Sequence, residues 1–470
     1  MIKAKLKSQI DAIWDSFHSG GVTNPMSVLE QMTYILFMRM LDNTKAYNAS
    51  FQDGEWQNPE TGKNIPYNSL RWNAFKKLSP TDMLTLIQNE VFPFIKNLGG
   101  EESSYCQYMR DAVFLVQSPH ALSRIVEGVD ALPMDNQDAM SDVFGYMIMK
   151  MGMGKSMGQF FSPRPIARLM VELMQPKAGD EICDPAMGDA TLLVESARYI
   201  AESSHQTHIT GHGLHGFDID LMMLRIGTMN LMLQGILKPD IKHMDSLSLD
   251  NNDADKYTLC LANPPFIGNV NRESISDSLL TLADTQRSEL LFISLCIRML
   301  KKGGRCACIV PENVLYGKSA AHIALRKELV EHQRLQAVIF LPQGVFRPYT
   351  NVSTAIIIFS KTNEGGTDNV WFYDTHSHVK RTGIDPECLA DVVMRFHSLD
   401  KEENRTRTEK SFLVPLSEIR KNYYTISLDS YRKVEPEKLQ YESTDVIRKR
   451  ISSLEREIQD ALDELNSKYL

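Results

Sequence analysis

The sequence predicts an α/β protein: a sheet of parallel strands with helices on both faces, preceded by a helical N-terminal domain and followed by a helical tail. Three observations carry this expectation. From Gly158 to about residue 375, strand-like apolar runs alternate with helical ones, the pattern of parallel strands joined by helical crossovers. Before that, apolar side chains recur at helical spacing. The last stretch of the chain carries a heptad stripe. A chain of 470 residues has room for two or three domains of roughly 100–200 residues. We divide it into 1–150, 151–375 and 376–470.

In chain order, Leu6, Ile10, Ile13, Trp14 and Phe17 line one face of a first helix, which Gly20 and Gly21 end. Asn24-Pro25 is a helix start, and the apolar run VLEQMTYILFMRMLD follows it. Asn48 to Asn68 is rich in Asn, Gly, Pro and Gln and reads as a long loop, after which helical segments continue to Met151. Beyond Gly158 the strand-like runs are EIC, HGFDID, TLCLA, RCACIVP, AVIFLP, STAIIIFSK and VWFYDT. The helical runs among them are TLLVESARYIAES, LMMLRIGTMNLMLQGI and ELLFISLCIRML. Residues 376–435 are mixed and polar. In the tail, Ile447, Ile451, Leu454, Ile458, Ala461 and Leu465 step by 4, 3, 4, 3 and 4. Such a stripe either packs on its own protein or docks on a partner subunit, and both readings stay open.

No run approaches the roughly 18 apolar residues of a membrane span. The opening segment reads as an amphipathic helix, not a signal peptide, so the expected compartment is the cytoplasm. Seven scattered cysteines with no CxxC pair read as buried free thiols. His205, His208, His212 and His215 match no standard zinc spacing and read as a polar loop. A net charge of −8 without a long basic run argues against a chain that grips nucleic-acid phosphates unaided, unless a partner supplies those contacts.

The sharpest chemical signal is Asn263-Pro264-Pro265-Phe266, directly after the strand TLCLA. Two prolines cannot continue a strand ladder, so they stiffen the strand's C-terminal end, where ligands of open α/β sheets sit. The Asn263 amide oxygen and the Pro264 carbonyl can both accept from one exocyclic amino group. Phe266 offers a flat face for a base. The set suits an adenine turned out of its helix; its bland reading is a rigid turn. A second signal, Asp184 to Leu193, places Gly188 in a tight turn between strand and helix, the cofactor-binding geometry of a Rossmann-like fold. Asp218 ends the next strand, where an acidic residue binds ribose hydroxyls. Asp245 stands where the third strand should end and could accept from the amino group of a cofactor's adenine. Each aspartate alone reads as a cap or turn residue; in series with Asn263 the ligand reading leads.

Read together, GQFFSPRPIARLMVEL, DPAMGDATLLVES, GFDID, MNLMLQGI, LANPPF, LKKGGRCACIVPENVLYG and LPQGVFRPYTNVSTAIIIFSK resemble the modification (HsdM) subunits of type I restriction–modification systems. The resemblance spans Gly158 to Lys361, and more loosely Ile13 to Asp42 and the segment IRKNYYTISLDSY. It implies a Rossmann-like S-adenosylmethionine (SAM)-dependent methyltransferase domain that methylates adenine N6 in double-stranded DNA. It also implies assembly of two modification subunits with one specificity subunit, which a restriction subunit can join. By resemblance, Gln159, Phe160, Phe161, Ser162, Pro163 and Arg164 touch SAM, as do Asp184, Gly188, Asp189, Ala190, Thr191 and Asp218. Asn263, Pro264 and Phe266 hold the target base.

One departure stands out. The family usually has Gly-Thr-Gly-Gly or Gly-Thr-Ala-Gly where this chain has Gly188-Asp189-Ala190-Thr191. The change sets a carboxylate and a β-branched side chain beside the methionine end of SAM. It leaves open a methyltransferase-like subunit that only scaffolds a partner, and a target amino group other than adenine's is a further alternative. On the leading reading the adenine amino lone pair, delocalised into the ring, needs two acceptors on its hydrogens to become a nucleophile. The sulfonium is already a good leaving group, so this chemistry calls for no metal.

Overall fold

Local chemistry sets the first helices where the sequence places them. One helix spans Ala4–Ser19, and Gly21, at φ +92°, ends it. The next spans Pro25–Leu41, with Pro25 in its first turn and Asn24 Oδ1 accepting from the Met26 and Ser27 amides. The computed structural model describes residues 4–42, 54–98, 100, 103–133, 143, 146–147, 150, 162–204, 213–236, 239–347, 350–376, 379–380, 383–433 and 444–469. Of the expected loop from Asn48 to Asn68, residues 48–53 lie outside that set. The rest is a small antiparallel hairpin, β1 (Glu55–Gln57) and β2 (Asn64–Pro66), followed by a 3-10 turn. Polar composition hid it. Asn58 and Gly62 build the turn, and Trp56 packs edge-on against Phe94 at 5.5 Å.

Among the described residues the centre is a sheet of nine strands. Its members are β3 (Ile182–Asp184), β4 (Leu214–Asp218), β5 (Asp240–His243), β6 (Tyr257–Ala262), β7 (Leu300–Pro311), β8 (Arg334–Phe340), β9 (Thr354–Ser360), β10 (Asn369–Asp374) and β13 (Ser411–Pro415). Two-residue strands β11 (Val379–Lys380) and β12 (Gly383–Ile384) form a separate hairpin. The order is β13-β10-β8-β9-β7-β6-β3-β4-β5. Neighbours from β5 to β7 run parallel, as do β8 and β10. β9 lies antiparallel between β7 and β8, and β13 is antiparallel to β10. The expected all-parallel sheet is thus corrected to a mixed one. Among the described residues no helix separates β8 from β9, and β9 returns beside β8 in the opposite sense. Within the expected polar region 376–435 lie the helix Pro386–Phe396 and the edge strand β13, which its composition did not announce.

Alternate residues of the central strands face opposite sides, and both sides are buried. Cys183, Cys260, Cys306 and Cys308 pack on one face with Cys296, while Ile182, Leu259, Leu261, Ala307 and Ile309 pack on the other. All seven cysteines are buried and free, as the sequence reading expects. His215 is not part of a polar loop: it sits in β4, its ring nitrogens 2.8 Å from Asp240 and 2.7 Å from Glu181. His205, His208 and His212 lie outside the described residues. Among the described residues no cluster has the makings of a metal site, and no helix is long and apolar enough to cross a membrane.

The helix Leu221–Leu233 joins the N-terminal helices to the sheet. Leu224 and Leu231 enter the sheet-side core, while Met223, Ile226, Met229 and Met232 enter the core of the N-terminal helices. Arg225 pairs with Glu30 and donates to the Tyr108 carbonyl. The chain forms two compact units, Met1–Tyr431 and Arg432–Leu470. In the second, the heptad stripe lies on one helix, Thr444–Tyr469, with Ile447, Ile451, Leu454, Ile458 and Leu465 exposed.

Because Met229 is buried among the N-terminal helices, Met229→Ala is expected to lower the unfolding free energy by about 2–5 kcal/mol. Urea titration measures it. A loss below about 1 kcal/mol would show that the cluster closes over the gap.

Candidate active site

β3, β4 and β6 are neighbours in the sheet and bring three of the sequence signals to their C-terminal ends. Asp184 closes β3, Asp218 closes β4, and Asn263 follows β6. Between β3 and the helix Thr191–Ser204 the chain makes a tight turn. Gly188 takes φ +54° and Ala190 φ +62°, the left-handed region that costs a non-glycine residue energy. The turn is nonetheless fixed at many points. Gly188 N–H donates to Asp218 Oδ2 at 2.8 Å, and Met187 N–H to the Phe217 carbonyl at 2.9 Å. Asn230 Nδ2 reaches the Asp189 carbonyl at 3.0 Å.

Met187, Gly216 and Gly227 are residues the sequence reading missed. A Cβ on Gly216 would lie 2.5 Å from Met187 Sδ, and one on Gly227 would lie 2.7 Å from Met187 Cε and 3.0 Å from the Gly188 carbonyl oxygen. The Met187 side chain therefore occupies a seat that exists only because β4 and the helix Leu221–Leu233 each carry a glycine there. The only sequence signal was a glycine inside an otherwise apolar strand or helix.

The departures at Asp189 and Thr191 satisfy each other. Asp189 Oδ1 accepts from Thr191 N–H at 3.1 Å and Oδ2 from Thr191 Oγ1 at 2.7 Å. The carboxylate is thus held back on its own turn. Burial pushes the Asp184, Asp189 and Asp218 carboxyls above the ordinary carboxylate range. For Asp184, 1% exposed, the charges of Asp218 and Asp189 add to that push. Backbone amides oppose it: Asp184 Oδ1 accepts from Ala186 N–H, and Asp218 Oδ1 from Asp220 N–H. Asp184 and Asp218 thus stand at neighbouring strand ends, with Asp189 in the turn between β3 and the helix that follows it. Asp245 is half-buried beyond β5, with Oδ1 accepting from Leu247 N–H.

Beside β3, the Asn263-Pro264-Pro265-Phe266 segment continues from β6. Asn263 is 6% exposed; its Nδ2 donates to Ser162 Oγ at 3.0 Å, while its buried Oδ1 has no hydrogen-bond partner among the described residues. Pro264 is buried and Pro265 half-buried. The sequence reading gives Phe266 an open face. In the structure its ring is 1% exposed and lies edge-on to Phe346, centroids 5.1 Å apart. Of the segment expected to border the cofactor, Gln159, Phe160 and Phe161 lie outside the described residues. Ser162 turns to Asn263, Pro163 caps the helix Arg164–Met174, and Arg164 pairs with Glu195 at 2.7 Å.

The chain matches the family model N-6 DNA Methylase over residues 135–440 and the model HsdM N-terminal domain over residues 6–129. It is 26% identical over 376 residues to the methylase subunit of the Escherichia coli type I restriction enzyme EcoEI, covering 75% of this chain and 74% of that one. To the methylase subunit of StySJI from Salmonella typhimurium it is 25% identical over 410 residues, covering 80% and 72%. In fold it is similar to the methyltransferase subunit of a type I restriction-modification system from Streptococcus thermophilus. That match has a TM-score of 0.66 at 17% identity and covers 91% of this chain and 99% of the other.

If the seat of Met187 fixes the turn, Gly227→Ala should destabilise the protein by about 1–3 kcal/mol through overpacking. It should also speed hydrogen exchange at the Gly188 amide. A variant of parental stability with that amide equally protected would show that the turn adapts without loss.

Proposed function

The chain belongs to the N-6 DNA methylase family, and on that premise we propose that it transfers a methyl group from S-adenosylmethionine to adenine N6 in DNA, as the modification subunit of a type I restriction–modification complex. One observation carries the reading at the level of the site. The Asn263 amide oxygen is buried and unbonded at the end of β6, beside the carboxyl cluster at the ends of β3 and β4. A buried acceptor without a donor is costly; an adenine amino group would satisfy it.

The residues present fit the cofactor. A cluster of buried carboxyls, with Asp184 raised further by Asp218 and Asp189, suits a ligand bearing a sulfonium and an ammonium. In this reading Asp184, Gly188, Asp189, Ala190, Thr191 and Asp218 border it. Asp218 holds the Gly188 turn through one oxygen and a ribose hydroxyl through its remaining acceptor capacity. Asp245 accepts from the cofactor's adenine amino group, and Gln159, Phe160, Phe161, Pro163 and Arg164 close one side. When bound, S-adenosylmethionine supplies a methyl group on a sulfonium that departs as a neutral thioether.

The protein's own work is at the target base. Asn263 Oδ1 and the Pro264 carbonyl accept the two amino hydrogens, which favours a pyramidal nitrogen as its lone pair becomes available. Pro264 and Pro265 lack N–H groups and cannot be drawn into the ladder, so the acceptors stay on a stiff segment and need no rearrangement when the reaction occurs. Stacking of the base on Phe266 requires a movement that uncovers the ring. The mutual bonding of Asp189 and Thr191 keeps the carboxylate on its own turn, which favours the enzyme over a non-catalytic subunit.

The same reading gives as partners double-stranded DNA and a specificity subunit in the ratio two modification subunits to one, an assembly that a restriction subunit can join, all in the cytoplasm. The net charge of −8 is consistent with a partner supplying much of the phosphate contact. Calorimetry with S-adenosylmethionine, on the chain alone and with its specificity subunit, tests the cofactor. Binding in either state supports the enzyme, and none in both would move the assignment to a scaffold.

Asn263→Ala should leave cofactor affinity within about twofold while cutting methyl transfer about 10²–10³-fold, the scale of one lost transition-state contact. Near-parental transfer by that variant would remove Asn263 from the chemistry. Asp218→Ala should raise the cofactor dissociation constant about tenfold or more, as expected for a lost charge-assisted hydrogen bond. Unchanged affinity would take Asp218 out of the pocket.

A further inference from the structure

We propose that Ser162 is a positioning residue for methyl transfer, setting the Asn263 amide so that its oxygen faces the target amino group. The resemblance assigns Ser162 to the cofactor. In the structure its hydroxyl oxygen instead accepts from Asn263 Nδ2 at 3.0 Å, across 101 residues of chain. This inference rests on the adenine-N6 reading and adds a residue to its machinery.

An asparagine amide has one acceptor end and one donor end, and the two are nearly the same shape. Only one of its two orientations fits the reaction. With Oδ1 toward the base, the amide accepts from the adenine amino group. Turned over, it sets its own N–H groups against those of the base, donor against donor. Strand geometry at β6 fixes where the amide stands but not which end points inward. Asn263 is 6% exposed, so bulk water does not satisfy either end freely. The Ser162 oxygen takes up the donor end and leaves Oδ1 as the buried atom without a partner.

Ser162 is itself held in place. Pro163, at φ −55° and ψ 127°, follows it as the cap of the helix Arg164–Met174. Arg164 in the first turn of that helix pairs with Glu195 of the helix Thr191–Ser204, which starts at the glycine turn. The serine therefore ties the acceptor at the end of β6 to the helix that leaves β3. A merely structural hydroxyl would not need to meet the one side chain on which amino-group recognition depends.

The test measures single-turnover methyl transfer at saturating S-adenosylmethionine by the chain with its specificity subunit, beside cofactor affinity by calorimetry. Ser162→Ala is expected to slow transfer about 3- to 10-fold, the size of one neutral hydrogen bond, with cofactor affinity within about twofold of the parent's. Ser162→Thr keeps the hydroxyl and should recover most of the rate. A Ser162→Ala variant that loses cofactor affinity but transfers at the parental rate would make Ser162 a cofactor contact and overturn the proposal. Parental rate and affinity together would overturn it as well, as would failure of Ser162→Thr to recover the rate. Absence of transfer by the parental complex would sink this inference along with the adenine reading; transfer that is insensitive to Ser162→Ala sinks this inference alone.

Discussion

The site depends on the seat of one side chain. Met187 lies where Gly216 of β4 and Gly227 of the following helix leave no room for a Cβ. That contact draws the turn after β3 against the strand and helix that follow it. Once the turn is down, Gly188 reaches Asp218, Met187 N–H reaches the Phe217 carbonyl, and Asn230 reaches the Asp189 carbonyl. Gly188 takes its left-handed conformation without steric cost, whereas that of Ala190 is held by these bonds and not by local preference. The same helix carries Met229 and Met232 into the N-terminal core, so the N-terminal helices brace the floor of the site.

On that frame the protein gathers negative charge. Asp184, Asp189 and Asp218 are each pushed up by burial, and Asp184 also by its two neighbours. Carboxyls raised in this way favour the folded state below their ordinary pKa and weigh against it as pH rises through the raised values. A cationic ligand reverses the sign of that term, because it stabilises the ionised forms. Cofactor binding and local stability are thereby linked through the same groups. Asp189 shows how such a cluster tolerates variation: its carboxylate is satisfied by Thr191 two residues on, so the unusual pair is compensated within the turn.

The other half of the site follows from the ladder. β6 runs parallel between β3 and β7, so its C-terminal end arrives beside Asp184 without any special loop. Pro264 and Pro265 then stop the ladder and keep the segment rigid. Asn263 is left with one end of its amide bonded to Ser162 and the other unbonded in the interior. Cofactor-side and base-side segments meet through that bond, although 101 residues separate them in the chain.

The sequence by itself determined the elements and most of the site's positions. Apolar runs mark β3, β4, β6 and β7, because a strand buried on both faces carries apolar side chains at successive positions and not only at alternate ones. Asn24-Pro25 fixes a helix start by capping chemistry alone. Asn263, Asp184 and Asp218 were legible because they stand at strand ends, and strand ends in such sheets are where ligands go. Tertiary structure decided what depends on partners distant in the chain. The place of β9 between β7 and β8, and the hairpin at Glu55–Pro66, follow from pairing that local pattern does not encode. The burial of Phe266 against Phe346, the seat of Met187, and the direction of the Asn263 amide are of the same kind. Each is set by which side chain lies opposite, and a linear sequence states spacing along the chain but not opposition across it.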